Sequence, residues 1–516
     1  MKNWIICLVL INSFSLSAQE YKRGNVWSVG FFPVVLFDFK NSLAIDQVVH
    51  SFNPPPFCIQ HSGSCISDTN GNLALISNAH NVYDGGGYII ENGEKLNCKA
   101  NDTIFAHHEG YIGSYTQMTL ILPKKGNQYY VFGVGMSDSV ATNYANHTYT
   151  EFDVLNYSIV DMDSNGGKGK VIEKNILLAE NQHYVNCAMQ AVRHGNGKDW
   201  WLCKADCEEH RFQLYLVKED TIEGPFYQYV PPSDTVDYCW FSSQLYFSED
   251  GTRMACSMYG NRENGVYISP NRVDLFDFDR CTGALSYRNH YEVPYDTTTY
   301  PNNDMKFGIC FSPDGKLVYM STIYSIYQID VEDTNRYNAM YITGPDTFFN
   351  NFPWYNEMKI APDGRIYVGT VGVYRPYMSY IANPNIRGLG CQFTPNGIWQ
   401  PYANLSDPPN MPNYALGEDS LHCWPVSTSN LSAPQGELLV YPNPAHTWLS
   451  IACMLQEGES AQFELYDMVG NKKLEKTLTR DENTRHINIS KMPKGVYIYT
   501  CKQAGHKTAS GKLIIE

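Results

Sequence analysis

The sequence predicts an all-β chain: a six- or seven-bladed β-propeller followed by a small antiparallel Ig-like β-sandwich. Three observations predict it. First, 38 Tyr, a charged content of only 18%, 39 Gly and 27 Pro join strand-favouring residues to turn-forming ones. Second, a Gly-containing turn followed by a strand rich in aromatic and β-branched residues recurs along the chain. It stands at NGNLALIS from Asn70, GNQYYVFGVG from Gly126, GNGKDWWLCKA from Gly195, EDGTRMACSMY from Glu249, PDGKLVYMST from Pro313 and PDGRIYVGTV from Pro362. Third, the texture changes near residue 425, where VSTSNLSAPQGE reads as a linker.

The elements follow in chain order. The first 18 residues, MKNWIICLVLINSFSLSA, have a positive start at Lys2, an apolar core and small residues leading to Ala18, as a secretory signal peptide does. Cys7 lies in that core and leaves with it. No later apolar run is long enough to cross a membrane as a helix. Residues 19–425 then hold the repeated unit. Its spacing of roughly 50 to 70 residues, several short strands per unit and no helical period, fits one four-stranded blade per repeat. Asp-Gly and Asn-Gly corners support positive φ and reverse the chain between neighbouring strands. Six markers give six blades. The stretch NVWSVGFFPVVLFDF near the mature N-terminus is expected to add a strand to the last blade and close the ring, and the count stays at six or seven. After the linker, 426–436, residues 437–516 alternate strands (ELLVYP, TWLSIAC, AQFELYDM, RHINIS, GVYIYTC, GKLIIE) with turns. This part carries 10 Lys and Arg against 9 Asp and Glu, whereas the whole chain has a net charge of −15. That acidity, with no basic stripe, excludes nucleic acid as a partner.

Cysteine usage fits an exported chain, in which Cys58 with Cys65 and Cys203 with Cys207 are close enough to close small loops, or else remain buried thiols. No CxxC spacing marks a zinc site.

The tail motifs carry a resemblance. YPNPA at Tyr441–Ala445, ELYDMVGNKK at Glu464–Lys473, INISKMPKGVYIY at Ile487–Tyr499 and the closing GKLIIE resemble the C-terminal sorting domain (type A) of type IX secretion cargo from Bacteroidetes. The resemblance implies two-step export, by the signal peptide and then by an outer-membrane translocon with its sorting machinery. The cargo then ends secreted or on the outer-membrane surface. It places the sorting signal on Tyr441, Pro442, Asn443, Pro444, Gly495, Tyr497, Lys512 and Leu513. Gly495 permits the turn into its strand, and Tyr497 and Tyr499 share one face. The ring, through CISDTNGNLALISNAHNVYDGGGYIIENG at Cys65–Gly93, AVRHGNGKDWWL at Ala191–Leu202 and NIRGLGCQFTPNGI at Asn385–Ile398, looks like the propellers of secreted or gliding-motility-associated proteins of that group. LALIS is less aromatic than that likeness implies. Asp-Ser/Thr-apolar tripeptides at Asp102, Asp138, Asp220 and Asp234 look like the group's O-glycosylation acceptor pattern.

Local chemistry is sparse. DMDSNGGKGKVI from Asp161 starts like a calcium loop but has Ile172 where a bidentate Glu is needed, so it reads as a turn. Asp250, Asp314 and Asp363 in the xDG turns are expected to cap their own turns. Scattered histidines form no chelate, and no metal, cofactor or catalytic residue is expected. The aromatic runs FFNNFPWYNE at Phe348–Glu357 and VYRPYMSY at Val373–Tyr380 suit flat polar ligands such as sugars or peptides, or else fill spaces between blades. Three functions stay open: a carbohydrate- or protein-binding module, an exported glycan hydrolase or lyase with its site in the ring's funnel, and a scaffold of the surface adhesion or gliding apparatus. Two facing carboxylates would favour the enzyme.

Overall fold

The structure, a computed structural model, describes residues 20–30, 34–40, 46–50, 63–96, 117–137, 139–140, 152–182, 184, 188–206, 211–229, 244–258, 262–263, 266–267, 271–293, 306–322, 324–343, 355–370, 375–404, 407–419, 423, 438–441, 445, 448–453, 460–479, 484–489, 491–503 and 506–515. The signal-peptide and linker segments lie outside them. The chain divides into two compact units, one of residues 1–280 and 287–419, the other of residues 281–286 and 420–516.

Among the described residues helix is confined to single turns such as Ser164–Gly167, and the rest is strand, turn and irregular backbone. In the first unit the described residues build, beside a two-stranded ribbon of Arg262–Glu263 and Val266–Tyr267, seven antiparallel sheets of three or four strands in succession. They open with Val26–Val29, Ser64–Ser67, Thr119–Pro123, Met189–Arg193, Leu245–Phe247, Lys306–Phe311 and Tyr355–Ile360. The first two sheets have three described strands and the other five have four. The opening strands of successive sheets lie side by side. The first sheet meets the seventh through Trp27, whose ring stands 5.6 Å from that of Tyr367, and through Phe39 at 5.8 Å from the same ring. The architecture is therefore propeller-like.

All six Gly-containing markers fall in the hairpin between the first and second strands of a sheet. The three aspartates cap these turns as expected. Asp250, Asp314 and Asp363 each accept the N–H two residues on, from Thr252, Lys316 and Arg365. The strands that follow are mostly buried, and Leu317–Thr322 and Trp200–Asp206 are buried along their whole length, because the sheets are covered on both faces. The last strands are wetter, as in Lys170–Ala179. Where LALIS is less aromatic, Asn78 shapes the turn by accepting N–H groups of His80 and Asn81, with Ala79 at φ 71°. The Asp161 stretch is a turn: Asp161 accepts the Asp163 N–H, and among the described residues no three His, Cys, Asp or Glu are grouped for a metal.

The structure departs from expectation at the N-terminus. Val26–Val29 and Val34–Asp38 do not add a strand to the last sheet. They pair with each other and with Asp46–His50 as a sheet of their own. Their near-continuous burial provides two covered faces, more than one added strand needs. The small-loop disulfides are also corrected. Cys65 and Cys203 are free, buried thiols, and among the described residues a disulfide joins Cys281 to Cys423. Cys58 and Cys207 lie outside the described residues.

The second unit contains a three-stranded sheet (Leu438–Tyr441, Trp448–Cys453, Thr484–Asn488) and a four-stranded one (Ser460–Asp467, Lys472–Thr479, Gly495–Gln503, His506–Ile515). Leu449, Ile451, Phe463, Leu465, Tyr497 and Leu513 are buried in their common core. Lys472–Thr479 is a strand the sequence reading left out. It lies at the sheet edge, where its lysines are at home, and only Leu474 and Leu478 turn to the core.

Candidate functional site

The site begins with DPPNMPNYALGED, Asp407–Asp419, the last stretch of the first unit. Three prolines remove backbone donors at 408, 409 and 412, so this segment cannot join a sheet ladder. It is nevertheless buried from Asp407 to Pro412. Its partners are the opening strands, which each have one edge without a neighbouring strand of their own sheet. Met118 and Ala188 spend their carbonyls on Val134 and Ala205 N–H groups within their sheets. The next carbonyls, of Thr119 and Met189, therefore point the other way, and both accept from the Asn410 side chain, at 2.9 and 3.0 Å.

Asn410 is the hub. Its side-chain oxygen accepts from Gln190 Nε2 at 3.0 Å and Gln117 Nε2 at 3.4 Å. Its own N–H donates to Gly63 O, and its carbonyl accepts from Ser64 Oγ, both at 2.7 Å. One residue thus reaches the second, third and fourth sheets. Two glutamines continue the ring of amides. Gln117 exchanges two bonds with the Leu245 backbone. Gln244 accepts from Ile309 and Met358 N–H groups and donates to Met358 O, joining the fifth, sixth and seventh sheets. Such a network satisfies every edge it touches and is costly to open.

Farther along, Tyr414 donates to Ile121 O at 2.7 Å, Arg193 donates to Tyr414 O at 3.0 Å, and Arg280 donates to Gly417 O. Arg193 also stacks on Trp200 at 4.1 Å and pairs with Glu20, which holds Arg23 as well. The segment therefore runs along the middle of the ring, from the end where the opening strands begin to the end with the Gly turns. The middle is filled by the chain itself.

A cavity of about 330 Å³ remains beside this segment. Its polar wall is Glu249, Lys359 and Asn413, and Trp27, Met411 and Pro412 contribute apolar surface. Glu249 comes from the turn after Leu245–Phe247 and Lys359 from the strand Tyr355–Ile360, so the two groups reach the cavity from different sheets. Asn413 Nδ2 donates to Glu249 Oε2 at 2.9 Å, and Lys359 Nζ donates to Met411 O at 2.5 Å beneath the Tyr246 ring. Burial pushes the Glu249 carboxyl up, against the pull of Lys359. Burial likewise pushes the Lys359 ammonium down, against the pull of Glu249. Sequence reasoning missed this site. Glu249 sits inside a turn that reads as purely structural, and the segment 407–419 carries none of the motifs read from the sequence.

The residues expected to carry the sorting signal are in several settings. Tyr497 is core, and its hydroxyl donates to Pro493 O at 2.6 Å. Leu513 is core too, paired across strands with Tyr497. Lys512 is exposed opposite Ile498. Gly495, at φ 154°, opens the strand. Tyr441 ends the strand Leu438–Tyr441, and Pro442, Asn443 and Pro444 lie outside the described residues. Of the aromatic runs, residues 348–354 and 373–374 lie outside too. Tyr355 is buried against Phe393, and Tyr377 is exposed opposite Trp399.

Residues 439–516 match the family model described as the secretion system C-terminal sorting domain. This is the sorting domain of type IX secretion. It implies dealings with that machinery and export to the cell surface or the medium. Among curated proteins nothing matches the chain. Several solved structures are similar at low identity. The extracellular domain of a one-component system from B. thetaiotaomicron is 13% identical, with 95% of this chain and 55% of that one covered and a TM-score of 0.34. The chain thus spans little more than half that protein's length. The β-propeller domain of Myceliophteria thermophila Cps50 (Swd1) is 10% identical over 67% of this chain and 94% of that one, with a TM-score of 0.36. The periplasmic gluconolactonase PpgL of Pseudomonas aeruginosa is 12% identical over 74% and 98%, with a TM-score of 0.38. Among the described residues no helix is long and apolar enough to cross a membrane.

Proposed function

We propose that the chain is a Bacteroidetes surface or secreted binding protein. Residues 19–425 form a seven-bladed propeller that takes a carbohydrate or protein ligand, and residues 437–516 form an Ig-like sandwich that addresses it to the type IX translocon. Seven successive sheets, with the first against the last, support the blade count. The observation that carries the binding role is the cavity beside the axial segment, with an ammonium and a carboxylate in an otherwise largely apolar wall. Of its described lining residues Glu249 alone carries a carboxylate, which favours binding over the paired-carboxylate chemistry of a glycosidase. In the tail, exposed Lys512 is the residue within reach of a receptor, while Gly495, Tyr497 and Leu513 hold its strand in place.

Two experiments test this reading. The full-length secreted chain, applied to glycan and peptide arrays with a parallel hydrolysis assay, is expected to bind without cleaving. Turnover of any glycan retained would refute the binding role. Removal of residues 506–516 is expected to leave the protein in the periplasm, and secretion at the normal level would refute the address.

A further inference from the structure

The two charged groups of the cavity have hydrogen-bonding capacity to spare. Glu249 Oε2 is held by Asn413, and Oε1 has no partner among the described residues. Lys359 Nζ has three N–H groups and spends one, on Met411 O. A fixed acceptor and a fixed donor, anchored on different sheets, therefore line one half-open cavity with apolar surface around them. The ligand they fit must donate at one point and accept at a neighbouring one, and must present C–H faces to Trp27, Met411 and Pro412.

We propose that this cavity binds one sugar unit through a pair of neighbouring hydroxyls, Glu249 accepting from one and Lys359 donating to the other. The proposal rests on the reading of the ring as a binding module and names its ligand. A hydroxyl both donates and accepts, so adjacent hydroxyls meet both groups at once. A volume of about 330 Å³ suits one pyranose ring, free or at the end of a chain, and not several units side by side. Inorganic phosphate and dicarboxylates would satisfy Lys359 but face Glu249. A simple cation would do the reverse.

Calorimetry on the full-length chain tests this with D-glucose, D-galactose and D-mannose, their methyl glycosides and β-linked disaccharides. Glycine, L-alanine and phosphate serve as competitors of other chemistry. Binding of the free hexoses identifies a free sugar as ligand, and binding of the glycosides and disaccharides alone identifies a chain end. Glu249→Leu is expected to weaken binding roughly ten- to hundredfold, the range for a hydrogen bond to a charged group. Glu249→Gln keeps an acceptor and is expected to lose less. Lys359 also holds the axial segment, so Ala415→Trp provides an independent variant. It fills the cavity while leaving both polar groups in place, and is expected to abolish binding with an unchanged melting temperature. Sugar binding that survives both Glu249→Leu and Ala415→Trp would overturn the proposal, as would binding of glycine or L-alanine in place of sugars. A glycan retained on the array with equal strength by wild type and Ala415→Trp refutes the cavity alone. An array on which nothing is retained refutes the binding module itself.

Discussion

Replacing Asn410 by Ala tests whether the axial segment holds the ring together. The substitution removes two donors and one acceptor from a site that is 3% exposed. Three groups then lose their described partner: the carbonyls of Thr119 and Met189, which face away from their own sheets, and the Gln190 side-chain N–H. Gln117 keeps its bonds to Leu245 and is spared. A buried polar group left without a partner costs about 1–3 kcal/mol, and water entering the space of the lost amide recovers part of it, so the total is about 3–5 kcal/mol. For a unit of roughly 400 residues, an unfolding entropy near 2.1 cal/mol/K per residue converts this to a fall in Tm of about 4–6 °C. Differential scanning calorimetry of the full chain measures it, with the exposed Lys316→Ala as control. Asn410→Asp keeps the shape but replaces the two donors with a charge, and is expected to fall further at neutral pH. A melting temperature for Asn410→Ala within about 1 °C of wild type would refute the reasoning.

Three further outcomes are expected. The Cys281–Cys423 bond spans 142 residues, a separation worth about 4–5 kcal/mol in the chain-entropy account. Reductant should therefore lower the melting temperature of the wild type and leave Cys281→Ser unmoved, as read by thermal unfolding with and without dithiothreitol. Burial pushes the Asp274 carboxyl up to about 6 despite its 2.9 Å bond from Arg272. The folded state then holds this proton more tightly than the unfolded one, so stability falls as pH rises from about 4 to about 6. Asp274→Asn should flatten that part of the urea-midpoint profile. In the tail, hydrogen bonds from Lys472 and Lys502 hold the Glu464 carboxyl down to about 2. Its contribution is present above the ordinary carboxylate range and is lost as pH falls towards about 2, so Glu464→Gln should be less acid-sensitive, with a small effect because the two lysines that cover this carboxylate are themselves solvated.

The parts of the fold that were legible in the sequence are those fixed by local rules. Each Gly corner marks a hairpin because reversal between adjacent strands needs positive φ within two or three residues, as at Gly251, Gly315 and Gly364. The tail was legible as ordered motifs, apart from Lys472–Thr479, whose charges disguise an edge strand. The axial segment was not legible. Its three prolines and two asparagines fit any loop, and what distinguishes it is the set of edges that the opening strands leave unpaired, set by residues up to 346 positions away. Glu249 and Lys359 were hidden for the same reason. Each is unremarkable in its own strand or turn and gains meaning only where two sheets converge.

The order of chain synthesis gives the axial segment a further consequence. Residues 407–414 are made after every sheet they bind, so the ring acts as an arch whose keystone is laid last. A chain halted before residue 410 would hold all seven sheets yet leave the Thr119 and Met189 carbonyls open, and so would stay loose.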